Sequence, residues 1–327
     1  MNMEENIFKN RVDLSALAES IKKIREEIGK VIVGQENMID LLITAILADG
    51  HVLIEGVPGV AKTLTAKLIS RVIDVKFSRI QFTPDLMPSD VLGTTVFNLK
   101  RSEFEFKAGP IFSNIVLIDE INRAPAKTQA ALFEVMEERQ VTVDGTTYTL
   151  ESPYMVVATQ NPIEQEGTYR LPEAQLDRFL FKIQVNYPTV EQELSIITGH
   201  HLRKGIKPTL EVNSVLSADA IKAYRVTVQE IHVEGNLLQY IAQLILETRN
   251  SPSLFLGASP RASIAILNGS KAFATLHGRD FVTPEDIKAI ALPVLRHRVM
   301  LTPDKEMEGV TTDDIVKQII DKVEVPR

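Results

Sequence analysis

The chain has 327 residues, with 36 Lys plus Arg against 43 Asp plus Glu and a net charge of −7. At about 100–200 residues per domain that length suggests two domains, and a composition of 44% hydrophobic and 24% charged residues excludes disorder as a global description. Cys is absent, which removes disulfides, thiol nucleophiles, zinc fingers and iron–sulfur clusters, and the acidic balance argues against a broad nucleic-acid-binding surface.

Residues 1–11 are polar and charged and do not read as a signal peptide. Apolar periodicity predicts helices over 14–29 and 35–48. The apolar run 41–48 contains Thr44, stops at Asp49-Gly50 and is too short to span a membrane. A strand over 51–55, a helix over 62–72 and a strand over 75–82 follow. Residues 95–107 read as a hairpin around Lys100-Arg101-Ser102-Glu103. A strand over 115–119 and a helix over 126–138 lead into a second hairpin, 141–149, turning at Asp144-Gly145, a pair that readily takes positive φ. Strands over 154–159 and 179–185 complete an α/β pattern, a doubly wound parallel sheet of five strands. Beyond Pro188 strands are expected to stop. Helices are predicted over 190–202, 218–228, 237–250, 260–276 and 284–296, the last opened by Thr283 as N-cap and Pro284. The expected domains are therefore 1–188, α/β with two hairpin insertions, and 189–327, a smaller all-α lid.

The chemistry concentrates in three stretches. Residues 51–63 are a strand, a Gly-rich turn and a helix opening on Lys62-Thr63. A phosphate chain needs converging backbone N–H groups, a cation and a hydroxyl that holds Mg²⁺. Gly56 and Gly59 supply the backbone, Lys62 the cation and Thr63 the metal-binding hydroxyl. The common pattern has Gly before the Lys where this chain has Ala61, which is expected to sit already in right-handed helical geometry. In residues 115–120, four apolar residues end in Asp119 and Glu120. That arrangement offers Asp119 to a metal shell and Glu120 as a general base. The third stretch, Val156 to Pro162, ends in polar Thr159, Gln160 and Asn161, either a group that orients water or a plain Asn-Pro turn. The six His residues do not cluster, and adjacent His200 and His201 lack the spacing of a zinc site.

Gly-Val-Pro-Gly-Val-Ala-Lys-Thr, Leu-Ile-Asp-Glu-Ile-Asn-Arg-Ala-Pro, Ala-Thr-Gln-Asn-Pro and Leu-Asp-Arg-Phe, in that order, resemble the MoxR family of AAA+ ATPases, P-loop NTPases, over nearly the whole chain. The resemblance implies an ATP-binding site of Gly56, Val57, Pro58, Gly59, Val60, Ala61, Lys62, Thr63, Leu64 and Asp119. Thr63 and Asp119 would hold Mg²⁺. Gly34 belongs to the segment that packs on adenine, and Glu120 and Asn161 would activate and position the lytic water. Arg261 becomes a second sensor reaching the γ-phosphate in cis, and Arg178 a finger that enters a neighbouring subunit. Arg170 competes for the finger role, and Asp177 could pair locally with Arg178. The absence of Cys fits a cytoplasmic protein, and the resemblance further implies a ring, a hexamer, that remodels or matures partner proteins, commonly ones with a von Willebrand factor A domain. The two hairpins would then face the pore or a client, or else merely extend the sheet. Two other readings are an ATP-sensing scaffold and a DNA-acting motor, the second disfavoured by charge.

Overall fold

The computed structural model describes residues 12–162, 169 and 171–326; the expectations for residues 1–11 and for Arg170 lie outside them. In chain order, α1 (Ser15–Gly29) and α2 (Glu36–Leu47) precede β1 (Val52–Gly56), α3 (Lys62–Val72), β2 (Phe77–Gln81) and a short α4 (Pro88–Leu92). The hairpin β3 (Gly93–Asn98) and β4 (Glu103–Ala108) leads to β5 (Ile115–Asp119), α5 (Ala126–Glu138) and the hairpin β6 (Gln140–Val143) and β7 (Thr146–Thr149). Then come β8 (Met155–Gln160), α6 (Glu173–Leu176) and β9 (Phe181–Val185). The rest is mainly helical: α7 (Val190–Arg203), α8 (Ala218–Gln229), α9 (Gly235–Asn250), β10 (Leu254–Leu256), α10 (Pro260–Leu276), α11 (Pro284–Leu295), β11 (Met300–Leu301), α12 (Pro303–Met307) and α13 (Thr312–Lys322).

The five long-range strands form one sheet in the order β2-β5-β8-β1-β9, parallel at every junction. β5 is buried along its whole length, and β8 in all but its last residue. Strands of continuous apolar character are what a sheet covered on both faces requires. One core layer joins α1, α2, α3 and the C-terminal helices to the sheet; a second packs α5 and α4 against the other face. Because every strand points the same way, the sheet has one carboxyl edge, where β1 and β5 deliver their polar ends. Its opposite edge is marked by His51, just before β1, whose carbonyl accepts from the N–H of Leu180 at 2.8 Å.

The expectation that strands stop beyond residue 188 is corrected by β10 and β11, which pair antiparallel. Three and two residues are too few to display a period of two. The two predicted hairpins form and pack on one another: Phe106 stacks on Tyr148 with ring centroids 4.3 Å apart, and the Thr95 hydroxyl donates to Asp144 at 2.6 Å.

Candidate active site

At the carboxyl edge β1 ends in Gly56, where a Cβ would come within 2.9 Å of the Val185 carbonyl on β9, so only glycine permits that strand register. The turn continues through exposed Pro58 and Gly59. Gly59 has φ +90° and nothing within 4 Å of its would-be Cβ, which leaves open space above the backbone. Val60 is buried, and Val57, Ala61 and Leu64 rest against the same core. Ala61 departs from expectation: its φ of 61° and ψ of 17° are left-handed, and it caps α3 from outside the helix. A non-glycine residue there costs about 1–2 kcal/mol, strain of the kind concentrated at functional turns. The Lys62 ammonium donates to the Gly56 carbonyl across the loop. Gly34, with φ +73°, lies against the Gln192 side chain at the start of α7, and Gln35 Nε2 reaches the Asn186 carbonyl at 3.5 Å.

β2 and β5 run in register with Gln81 opposite Asp119, which brings Arg79 and Gln81 to the acidic pair. Asp119 is 6% exposed. Its Oδ2 takes the Arg79 Nε at 2.6 Å, its Oδ1 accepts from the Thr159 hydroxyl at 3.1 Å, and the Thr63 hydroxyl lies 3.4 and 3.5 Å from its two oxygens. Glu120 has φ 58° and ψ 53°, a left-handed turn that swings its side chain off the strand line, and its N–H donates to the Thr159 hydroxyl at 3.1 Å. Gln81 Nε2 donates to Glu120 Oε2 at 2.9 Å, and the Arg123 Nε stands 2.9 Å from the same oxygen. Asn161 is buried immediately beyond β8.

Arg178 and Arg261 lie elsewhere. Arg178 precedes β9, and its guanidinium donates to the Phe133 carbonyl on α5 and stands 3.8 Å from Glu137 Oε2. Arg261, in the first turn of α10, donates to the other oxygen of Glu137 at 3.0 Å. Glu137 follows Met136, whose carbonyl accepts from the His51 ring, so this carboxylate sits at the amino edge of the sheet. β1 separates the two edges by five residues, roughly 16 Å at about 3.3 Å per residue. The in-cis reach expected of Arg261 is therefore not what this arrangement offers: its guanidinium is paired at the edge opposite its own phosphate loop. The local Asp177–Arg178 pair is also absent, because Asp177 is taken by Arg298 at 2.6 Å and by the Ser259 hydroxyl at 3.2 Å.

Residues 51–181 match the family model described as "ATPase family associated with various cellular activities (AAA)", and residues 246–319 match the AAA lid domain. Chaperone MoxR1 of Mycobacterium tuberculosis is 41% identical over 323 residues, covering 96% of this chain and 84% of that one. Protein MoxR of Methylorubrum extorquens is 30% identical, covering 93% and 94%. The chain belongs to the MoxR family of AAA+ ATPases. An uncharacterized protein, YeaC, of Bacillus subtilis is 46% identical over 93% of this chain and 94% of its own. The crystal structure of a candidate ATPase from Cytophaga hutchinsonii superposes over 100% of both chains with a TM-score of 0.89 and 41% identity.

Within this MoxR-family fold the predicted loop residues, Thr63, Asp119, Glu120 and Asn161 gather at one edge, whereas Arg178 and Arg261 gather at the other. The donor set fits a nucleotide and a divalent cation. A hydroxyl and a buried carboxylate approach within 3.5 Å, a left-handed turn opens space over its N–H groups, and a Lys ammonium spans that turn. Sequence reasoning missed Arg79, Gln81 and Glu137. The alternation of Arg79 and Gln81 on one face of β2 was a visible signal, but the strand they face was not. Among the described residues no group of three or more His, Cys, Asp or Glu could hold a metal by itself. No helix among them is long and apolar enough to cross a membrane.

Proposed function

We propose that this MoxR-family protein is a Mg²⁺-dependent ATP hydrolase that works as a cytoplasmic ring, drawn as a hexamer, and uses turnover to remodel and mature partner proteins, including ones with a von Willebrand factor A domain. One observation carries the reading. The Gly-rich loop and the acidic pair lie at one edge of the sheet, and Arg178 and Arg261 lie on a shared carboxylate at the other, as two halves of a phosphoryl-transfer site shared between subunits would. Copies meeting edge to edge complete each other's site, and such head-to-tail contacts close into rings. The name of the chaperone relative supports the remodelling part.

In this mechanism the loop N–H groups and the positive end of α3 bind the triphosphate. Lys62, released from the Gly56 carbonyl, neutralises phosphate oxygens. Thr63 and Asp119 would hold Mg²⁺, which would supply neutralisation of the phosphate charge. Arg79 yields its place on Asp119. Glu120, turned away from Gln81 and Arg123, takes a proton from the attacking water, and Asn161 orients that water. Arg178 and Arg261 leave Glu137 and meet the transition-state charge of the neighbouring subunit, both in trans; their common carboxylate supports grouping them.

Glu120→Gln is expected to lower phosphate release by about 10²–10⁴-fold while ATP affinity persists. Arg178→Ala and Arg261→Ala should each lose turnover alone and regain part of it when mixed with Glu120→Gln subunits. Phosphate release that is absent, or indifferent to Glu120→Gln, at every protein concentration would leave an ATP-sensing scaffold as the function.

A further inference from the structure

The segment from Asp177 to Leu180 carries Arg178 between α6 and β9 and has no strand or helix of its own. Its carbonyls have no ladder to join, so something else must define where Arg178 points. That partner comes from the lid. Arg298, three residues past α11, is 3% exposed, and its guanidinium has five N–H donors in a planar fork. All five are used. Nε donates to Asp177 Oδ1 at 2.6 Å, Nη1 to the carbonyls of Leu180 at 3.1 Å and Val294 at 2.7 Å, and Nη2 to the carbonyls of Asp177 at 3.0 Å and Phe179 at 2.6 Å. The carbonyls on both sides of Arg178 are thus held by one side chain.

The other oxygen of Asp177 accepts from Ser259, the residue that caps α10 two positions before Arg261. One carboxylate therefore ties the Arg178 segment to both lid helices that matter, α11 through Arg298 and α10 through Ser259. Immediately before Arg298, His297 Nε2 lies 3.0 Å from the Phe179 carbonyl and Arg296 Nη1 donates to the Lys182 carbonyl at 3.3 Å. The distal ends of Arg178 and Arg261 then converge on Glu137.

We propose that Arg298 and Asp177 are positioning residues that lock the Arg178 segment to the lid, so that Arg178 and Arg261 are presented to the neighbouring subunit as one unit. The inference rests on the hydrolase reading above. Neither residue touches phosphate. They act through the arginines, and a displacement of about 1 Å in a catalytic group can cost about 10²-fold in rate. A lysine at 298 keeps a buried positive charge but concentrates its donors on one nitrogen, so it cannot hold Asp177, Phe179 and Leu180 together.

The test is steady-state hydrolysis and ATP affinity, measured separately, for full-length Arg298→Lys and, because that buried substitution can unfold the chain, for Asp177→Asn and Ser259→Ala. The expected result is a kcat lower by about tenfold to 10²-fold for Arg298→Lys and Asp177→Asn and less for Ser259→Ala, with ATP affinity within about twofold of wild type. Mixing with Glu120→Gln subunits, which carry an intact clamp and intact arginines, should restore turnover in the variant subunits' own sites. A folded Arg298→Lys or Asp177→Asn variant with wild-type kcat overturns the proposal. So does a kcat loss that mixing leaves unrepaired, or one accompanied by loss of ATP affinity, since either is what a merely structural contact gives. If wild type itself shows no Glu120-dependent turnover, the hydrolase reading fails first and takes the clamp with it.

Discussion

His51 is a titratable group whose neutral form the fold enforces, and replacing it with Gln is a quantitative test of the amino edge. The Val156 N–H donates to its Nδ1 at 2.9 Å, so Nδ1 carries no proton and Nε2 donates to the Met136 carbonyl at 3.1 Å. Burial, and secondarily the Arg139 guanidinium, pulls its pKa from 6.5 down to about 3, against a smaller opposing effect of the Met136 carbonyl. A depressed histidine contributes stability that is present above the unfolded pKa and lost as pH falls below it, because only the unfolded chain takes up the proton. Between pH 7 and pH 5 the loss is about 2 kcal/mol, as the unfolded ring titrates at 6.5 while the folded one stays neutral. In His51→Gln the amide can donate to Met136 and accept from Val156 but cannot titrate. Reversible urea unfolding at pH 7, 6 and 5 should give a wild-type stability curve that falls more steeply than the variant's by that amount. Parallel curves would refute the neutral-histidine account.

Other consequences follow from individual contacts. Ala61→Gly removes left-handed strain of about 1 kcal/mol but adds a comparable freedom to the unfolded chain; unfolding free energy should change by less than about 1 kcal/mol and ATP affinity should persist. Ala61→Val should lower both, as read by denaturation and nucleotide titration. Asp286, nearly fully buried, accepts both Arg279 terminal nitrogens at 2.6 Å and the Thr283 N–H at 2.8 Å. Asp286→Asn should cost about 2–3 kcal/mol, measured by chemical denaturation. A double-mutant cycle of Phe106→Leu and Tyr148→Leu should return a coupling of about 0.5–1.5 kcal/mol, and additivity would mean that the two hairpins are independent.

The carboxyl-edge half of the site was legible because its parts are contiguous: strand, Gly-rich turn and helix for the loop, and four apolar residues ending in Asp119-Glu120 for the acidic pair. Ala61 was misread because the chain shows which residue stands there but not that the turn closes only with a positive φ. Arg178 and Arg261 could be named from ordered motifs, yet their shared carboxylate could not. Glu137 sits in an ordinary helix of mixed charge, and nothing local distinguishes it from Glu134 or Glu138.

By itself, then, the order of residues determined the alternation that builds a parallel sheet, the edge at which phosphate would bind, and the acid pair beside it. These depend on periodicity and on backbone groups a few residues apart. Tertiary structure decided which side chains complete those groups. Arg79 meets Asp119 across 40 positions, Arg298 meets Asp177 across 121 and Arg261 meets Glu137 across 124. Such pairings are set by the register of parallel strands and by the docking of the lid, and both are settled only when the two core layers close on the sheet.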